Sequence, residues 1–264
     1  MAVTVSELAT WRRVLLLLVR RDLRLRYAGA WLGYVWSVLD PLMMALVYAF
    51  VFQVLIGVRK IGETPYILYL LVGMLGWNWF SSAVTEGCRS LTGEAKIVRS
   101  ANVPREIWVA RTVVSKMFEF LLALPVVVLF AVYYQHGVNW RLALFPLGLL
   151  LQFMLSFGVA LIVAPLTVLA DDVQRVVRII LRMAFYLTPV LYSLNHVAPK
   201  QHWIPIAGKL NPMAGILTLY RAGLWQQDLL SWHVYVFTTV MSVLVLVLGH
   251  LVFKRFEGTV LKEI

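Results

Sequence analysis

Long apolar intervals with few charges recur six times along the chain, and no other feature restricts the fold as tightly. A helix needs about 20 apolar residues to cross roughly 30 Å of hydrocarbon, and within lipid the backbone must satisfy its own hydrogen bonds. Measured against that length, the spans are read at residues 41–58, 64–87, 107–135, 141–170, 176–195 and 229–253. With 61% apolar and 14% charged side chains in 264 residues, there is too little polar surface to coat a soluble globule. The expected fold class is an all-α polytopic membrane protein, a single transmembrane domain over residues 1–264. To its six spans it adds an amphipathic interface helix, a cytoplasmic connecting region and an outer re-entrant segment.

Lys and Arg fix the orientation. Segments before the first span and at every second connection carry 18 of them, against 6 in the others, so both termini are expected on the cytoplasmic side. The formal net charge of +11 would suit nucleic acid in a soluble domain. Here the cations sit beside apolar runs and form no separate basic domain, so no nucleic-acid partner is expected. The six apolar residues Val14 to Val19 are too few for a signal-peptide core, so the N-terminus is expected to be retained.

Residues 5–27 read as a helix lying in the membrane plane. At about 100° per residue, Leu8, Trp11, Leu15, Leu18 and Val19 share one side, and Arg13, Arg20, Arg21 and Arg24 the other. The basic side suits anionic lipid or a cytoplasmic protein partner, and sequence alone does not separate them. From Arg20 to Leu42 the chain passes through Gly29, Trp31, Gly33, Tyr34, Trp36 and Pro41. That is the order expected where a chain leaves the charged surface and enters hydrocarbon.

Two connections exceed simple turns. Residues 88–106 hold mixed charge, Gly93 and Pro104, and read as a short helix between two breaks. Residues 196–228 contain apolar runs too short to span, bounded by Pro199, Pro205 and Pro212, and read as re-entrant helices dipping into the outer leaflet.

The chemistry is sparse. No GxxxxGK[ST] occurs, so energy must come from a partner or a gradient. Lys116, Glu119 and Arg182 lie close to span ends, where their stems can snorkel. Cys88 is the single cysteine, and His136, His196, His202, His233 and His250 show no metal-ligand spacing. Asp171 and Asp172 could hold Mg²⁺ on a prenyl diphosphate. No second acidic cluster faces them, and the favoured reading is an N-terminal helix cap. Tyr48, Phe50, Phe52 and Gln53 in the first span, and Tyr69, Trp77, Asn78, Trp79, Phe80, Ser81 and Ser82 in the second, concentrate aromatic and weakly polar groups. Such faces stack on sugar rings without fixing one hydrogen-bond pattern, although packing and an interfacial belt draw on the same residues.

Taken in order, RDLRLRYAGAWLGYVWSVLDPL (Arg21 to Leu42), VRSANVPRE (Val98 to Glu106), TPVLYSL (Thr188 to Leu194) and NPM (Asn211 to Met213) resemble the membrane subunits of type-2 ABC exporters. The likeness is to the branch that moves O-antigen, capsule, teichoic acid and galactan, and it covers almost the whole chain. One departure is Asp171-Asp172, where relatives commonly have Arg-Asp. The resemblance implies a homodimer in a bacterial inner membrane, two copies of a separate P-loop ATPase, and a polysaccharide on a polyprenyl diphosphate. ATP and Mg would bind the ATPase, with no cofactor or metal on this chain. It further implies that Glu94, Lys96, Arg99, Pro104 and Arg105 contact the ATPase. Arg20, Arg21 and Arg24 would meet either the ATPase or the lipid diphosphate, and Tyr48, Phe52, Trp77, Trp79 and Phe80 would line the channel. The alternatives are an exporter of drugs or small lipids and a membrane enzyme acting on polyprenyl phosphates.

Overall fold

We describe the chain from a computed structural model, which describes residues 5–27, 35–55, 57, 60–61, 64–100, 103–135, 137–194, 210–224 and 230–263. The Gly29 to Tyr34 crossing and residues 196–209 and 225–228 of the expected re-entrant segment lie outside the described residues. The elements are α1 (Val5–Tyr27), α2 (Trp36–Ala49) continuing as a π-helix (Phe50–Leu55), β1 (Lys60–Ile61) and β2 (Thr64–Pro65). They continue with α3 (Tyr66–Gly87), α4 (Ala95–Ser100), α5 (Arg105–Tyr133), a 3-10 turn (Trp140–Leu144), α6 (Phe145–Leu169) and α7 (Asp172–Leu187). The last two are α8 (Pro212–Arg221) and α9 (Trp232–Glu263).

Local sequence sets where the helices start. Pro65 and Pro104 stand extended at ψ 131° and 133° immediately before α3 and α5. Proline's missing N–H costs nothing there, and its fixed φ directs the chain into the first turn. Asn139 and Asn211 accept hydrogen bonds from the backbone N–H of Arg141 (2.8 Å) and Met213 (3.0 Å), capping the 3-10 turn and α8.

Among the described residues, four helices have the length and apolarity to cross a membrane: Tyr66–Gly87, Arg105–Tyr133, Trp140–Leu169 and Trp232–Val260. Of these α3 is the hub, buried nearly all round, whereas the others bury one stripe and leave one apolar face outward. Association between such helices rests on close packing rather than on expelling water, and small residues allow it. On α6, a Cβ at Gly158 would stand 2.6 Å from the Val245 carbonyl carbon of α9, and a Cβ at Gly249 would collide with the Gly158 carbonyl. Gln152, fully buried on α6, donates to the Gly76 carbonyl of α3 at 2.7 Å and pins a third helix to this pair.

Several elements depart from the sequence reading. The helix expected as the first span starts at Trp36, ahead of Pro41, and its last turn is a π-helix over Phe50–Leu55, a rare geometry often found at functional positions. The fifth helix covers Asp172–Leu187 and then breaks, so residues 188–193 of the expected 176–195 span are a turn. The last helix continues past Phe253 to Glu263. Asp171 begins α7 with helical φ −58° and ψ −28°, and its carboxylate makes no capping hydrogen bond. What survives of the cap is charge position, since Asp172 in the first turn still complements the helix dipole.

Candidate functional site

The charged residues gather at one end of the bundle, where α1, the 88–100 segment, the start of α5 and the end of α9 meet. Glu94 is the centre of the first group. One carboxylate oxygen accepts from Arg21 of α1 at 2.9 Å and the other from Arg111 of α5 at 3.2 Å. Arg111 also reaches Asp22 at 3.0 Å, so two acids and two guanidinium groups tie α1 to α5 through the turn before α4. Val19, buried on α1, and Leu18, half-buried beside it, provide the apolar side of the same contact.

A second group is centred on Lys116, which is 6% exposed and lies 2.8 Å from Glu86 and 2.9 Å from Glu119. Snorkelling was the expectation for this lysine. The structure instead buries it between two carboxylates, which is how a charge inside apolar surroundings is kept at tolerable cost. In the third group Lys254 of α9 meets Glu106 at 2.6 Å and Glu257 at 3.1 Å, and Arg105 lies 3.8 Å from Glu257. The continuation of α9 beyond Phe253 is thereby attached to the first turn of α5.

These pairs sort the expected ATPase-contacting residues. Glu94 and Arg105 spend their charge within the chain, and Pro104 begins α5. Lys96 and Arg99 are exposed on α4, whose Val98 is buried beneath them. On α1, Arg13, Arg20 and Arg24 are exposed, while Arg21 is half-buried and paired. A cavity of about 570 Å³ opens among Asp22, Glu86, Arg89, Glu94, Arg111 and Gln174.

The expected channel aromatics divide as well. Trp77 lies 5.6 Å from Phe80 and 5.8 Å from Phe185 of α7, and Tyr48 of α2 lies 6.1 Å from Phe185, so these rings form one cluster across three helices. Phe52 instead stacks toward Tyr66 at 5.5 Å. Trp79 turns the other way, stacked at 5.3 Å on Phe120 with its indole N–H donating to the Val113 carbonyl. It is enclosed by the chain's own core, since two positions along a helix is about 200° of rotation and points Trp79 away from Trp77.

Beside the aromatic cluster, α3 presents Asn78, Ser81, Ser82 and Thr85 at helical spacing, half-buried or exposed. Ser82 donates to the Asn78 side chain at 3.3 Å and Thr85 to the Ser81 carbonyl at 2.7 Å, so the hydroxyls are supported within the helix. Asp171 and Asp172 are exposed, with Asp172 3.5 Å from Arg175, and among the described residues no three potential metal-ligating side chains converge.

The far end of the bundle holds a feature that sequence reasoning missed. Arg221, counted among loop cations, is 4% exposed. Its guanidinium donates to the carbonyls of Pro189 (2.8 Å), Val190 (2.9 Å) and Tyr69 (3.3 Å), and it lies 3.5 Å from the Tyr69 ring centre. The hydroxyls of Tyr66 and Tyr69 take the next two carbonyls, Leu191 at 2.8 Å and Tyr192 at 2.7 Å. Four consecutive carbonyls left by the break in α7 are thus each held by a side chain from α3 or α8. Gly73 is the residue that admits Arg221, since a Cβ there would occupy the guanidinium's place.

Fold and charge placement together define a polytopic α-helical membrane protein with a charged platform at one end. Comparison with known proteins identifies the family. The ABC-2 type transporter family matches residues 13–225, and the chain belongs to it. It is 31% identical over 225 residues to the O-antigen export system permease protein RfbA of Myxococcus xanthus, covering 85% of each chain. It is 28% identical over 248 residues to the protein of the same name from Klebsiella pneumoniae, covering 92% of each. With the polysialic acid transport protein KpsM of Escherichia coli it shares 24% identity over 204 residues.

Proposed function

We propose that this chain is the membrane-spanning subunit of an ATP-driven exporter, and that two copies with two P-loop ATPases move a polyprenyl-diphosphate-linked polysaccharide outward across a bacterial inner membrane. The reading rests on family membership and on relatives named for O-antigen export and polysialic acid transport. The single observation in the fold that carries it is the ion-pair platform. It binds α1, α4 and α5 into one body while leaving Lys96 and Arg99 exposed on α4 for a partner.

In this reading the platform is the cytoplasmic end and both termini lie there. α2 with its π-turn, and α7 with the turn after it, complete six spans beside the four long helices. ATP and Mg bind the ATPase, which pushes on α4. Because Glu94 joins the turn before α4 to both α1 and α5, a displacement of α4 moves the two helices together. Such coupling requires that the ATPase contact the platform differently in its two nucleotide states. Channel lining falls to Phe80, Tyr48 and the Asn78 to Thr85 stripe, with Trp77, itself buried, packed behind Phe80.

Depleting the protein in its host and extracting the membrane lipids tests the function. Accumulation of a lipid-linked glycan on the cytoplasmic side is the expected outcome. An unchanged glycan pool with altered drug sensitivity would overturn it.

A further inference from the structure

The amphipathic helix α7 carries three arginines, Arg175, Arg178 and Arg182, at i, i+3 and i+7, all exposed. At about 100° per residue they fall within about 60°, with Phe185 about 20° beyond Arg178 on one edge of that sector and Tyr186 about 20° beyond Arg175 on the other. Val176, Ile180, Met183 and Leu187 occupy a separate, lipid-compatible side with Ile179 between it and Arg175, and Val177, Leu181 and Ala184 face the core. Arginines on a helix flanked by such apolar surface are costly in a membrane and persist where something anionic meets them. Arg175 has Asp172 at 3.5 Å. Among the described residues, Arg178 and Arg182 have no carboxylate within ion-pair range.

The order along this sector decides the ligand. Arg178 and Arg182 stand one turn apart, about 6 Å along the axis, and Phe185 follows about 10 Å from Arg178. Phe185 touches Trp77 at 5.8 Å, Tyr48 at 6.1 Å and Tyr186 at 5.2 Å. Arg89, at the end of α3, bonds Gln174 at 3.1 Å and brings a further cation to the same mouth. Cations therefore lead directly into aromatic rings. Two planar guanidinium forks suit two phosphates joined through one oxygen, and the rings above suit the apolar face of a sugar. Phosphatidylglycerol and phosphatidylethanolamine each offer one phosphate and no ring to stack.

We infer that Arg178 and Arg182 hold the diphosphate of the transported lipid and so deliver its first sugar to the Phe185, Tyr48 and Trp77 cluster. This inference rests on the transport reading above. Both arginines are binding residues and Arg175 is a positioning residue at the entrance.

The test uses the full chain with its ATPase subunits in phosphatidylcholine nanodiscs, titrated with radiolabelled undecaprenyl diphosphate. Arg178→Gln with Arg182→Gln is expected to weaken binding at least tenfold, and Arg178→Lys with Arg182→Lys by no more than about threefold. Undecaprenol is expected to bind all forms at background. Nanodisc melting temperatures, unchanged by these exposed substitutions, separate lost binding from lost structure. Equal binding by the Gln pair would overturn the inference, as would phosphatidylglycerol displacing the probe at comparable concentration, which would assign the site to bilayer lipid. The Gln pair is also expected to fail in restoring glycan export to depleted cells. If depletion traps a lipid-linked glycan and the Gln pair restores export fully, this site is wrong and the transport reading stands. If depletion traps none, the transport reading itself fails.

Discussion

The two ends of the bundle bury positive charge in opposite ways. At the platform, Arg111, Lys116 and Lys254 are neutralised by carboxylates on other helices or one turn away. At the far end, Arg221 meets backbone carbonyls and an aromatic face. An ion pair joins two helices that are each complete without it. A cation on carbonyls supports backbone that has no helix of its own. The platform is thus a lattice of ties between finished elements, whereas Arg221 is a condition for the buried turn after α7 to exist without a helix of its own.

The sharpest way to break this contrast is to remove Arg221. Hydrogen bonds to charged groups are worth roughly 1.5–3 kcal/mol each, and Arg221→Met abandons three carbonyls at once. A loss on the order of 4 kcal/mol is expected in the unfolding of the nanodisc-embedded protein. Arg221→Lys keeps the charge but not the fork and should forfeit about half of that. Arg221→Met unfolding no earlier than the parent would show that the turn supports itself.

Lys116 comes next. Lys116→Met leaves Glu86 and Glu119 facing one another and is expected to cost about 3 kcal/mol, as broken buried pairs do. Here the platform allows a rescue that the far end does not. Adding Glu86→Gln and Glu119→Gln removes the stranded charges and should restore stability to within about 1 kcal/mol, because a paired charge can be replaced by its absence. No double substitution can delete four backbone carbonyls. Failure of the triple variant to recover would erase the distinction.

The same contrast explains what the sequence made legible. Helix type, the interface helix and the short helix after Glu94 follow from periodicity and from Pro104, which act over a few residues. Glu94, Lys116 and Arg221 were visible as charges, but their roles depend on partners up to 152 positions away, most of them on other helices whose rotation the sequence leaves free. Trp79 shows the limit most clearly. Nothing in WNWF separates it from Trp77, yet two steps of about 100° send one ring to Phe185 and the other to Phe120 on the opposite side. The break at Thr188 was missed, since the apolar run to residue 195 outweighed Pro189, and the side chains that hold its carbonyls left no local signal.

Smaller stability effects are expected where the platform faces outward. Glu94→Gln loses a charge shared by two arginines and should cost about 1–2 kcal/mol, while Lys96→Glu and Arg99→Glu, on exposed side chains, should stay within about 0.5 kcal/mol. Function should reverse that order. The α4 charge reversals are expected to abolish co-purification of the ATPase subunits and export while the protein melts normally, and Glu94→Gln to retain association but uncouple ATP hydrolysis from export. Intact association and export in Lys96→Glu with Arg99→Glu would show that the platform meets its partner elsewhere.

The least perturbing probe is already in the chain. Cys88, at the end of α3 beside the platform, is fully buried, and burial pushes its thiol above the ordinary 9.0, with Thr167 and the charges of Arg178 and Arg89 pulling part way back. The thiolate attacks maleimide and the thiol does not, so a raised value leaves less of the reactive form at neutral pH and moves the rise in labelling rate to higher pH. A cysteine placed by Lys96→Cys in a Cys88→Ser chain reports an exposed thiol, whose labelling should level off as pH passes about 8.5–9. Cys88 should label more slowly throughout and still be accelerating there. Arg178→Gln removes one of the two stabilising cations and should move the Cys88 profile slightly higher again, without touching that of the Lys96→Cys thiol. Coincident profiles for the two cysteines would mean that the platform end opens to water far more often than its ion pairs imply, and that its lattice is no firmer than the exposed surface around it.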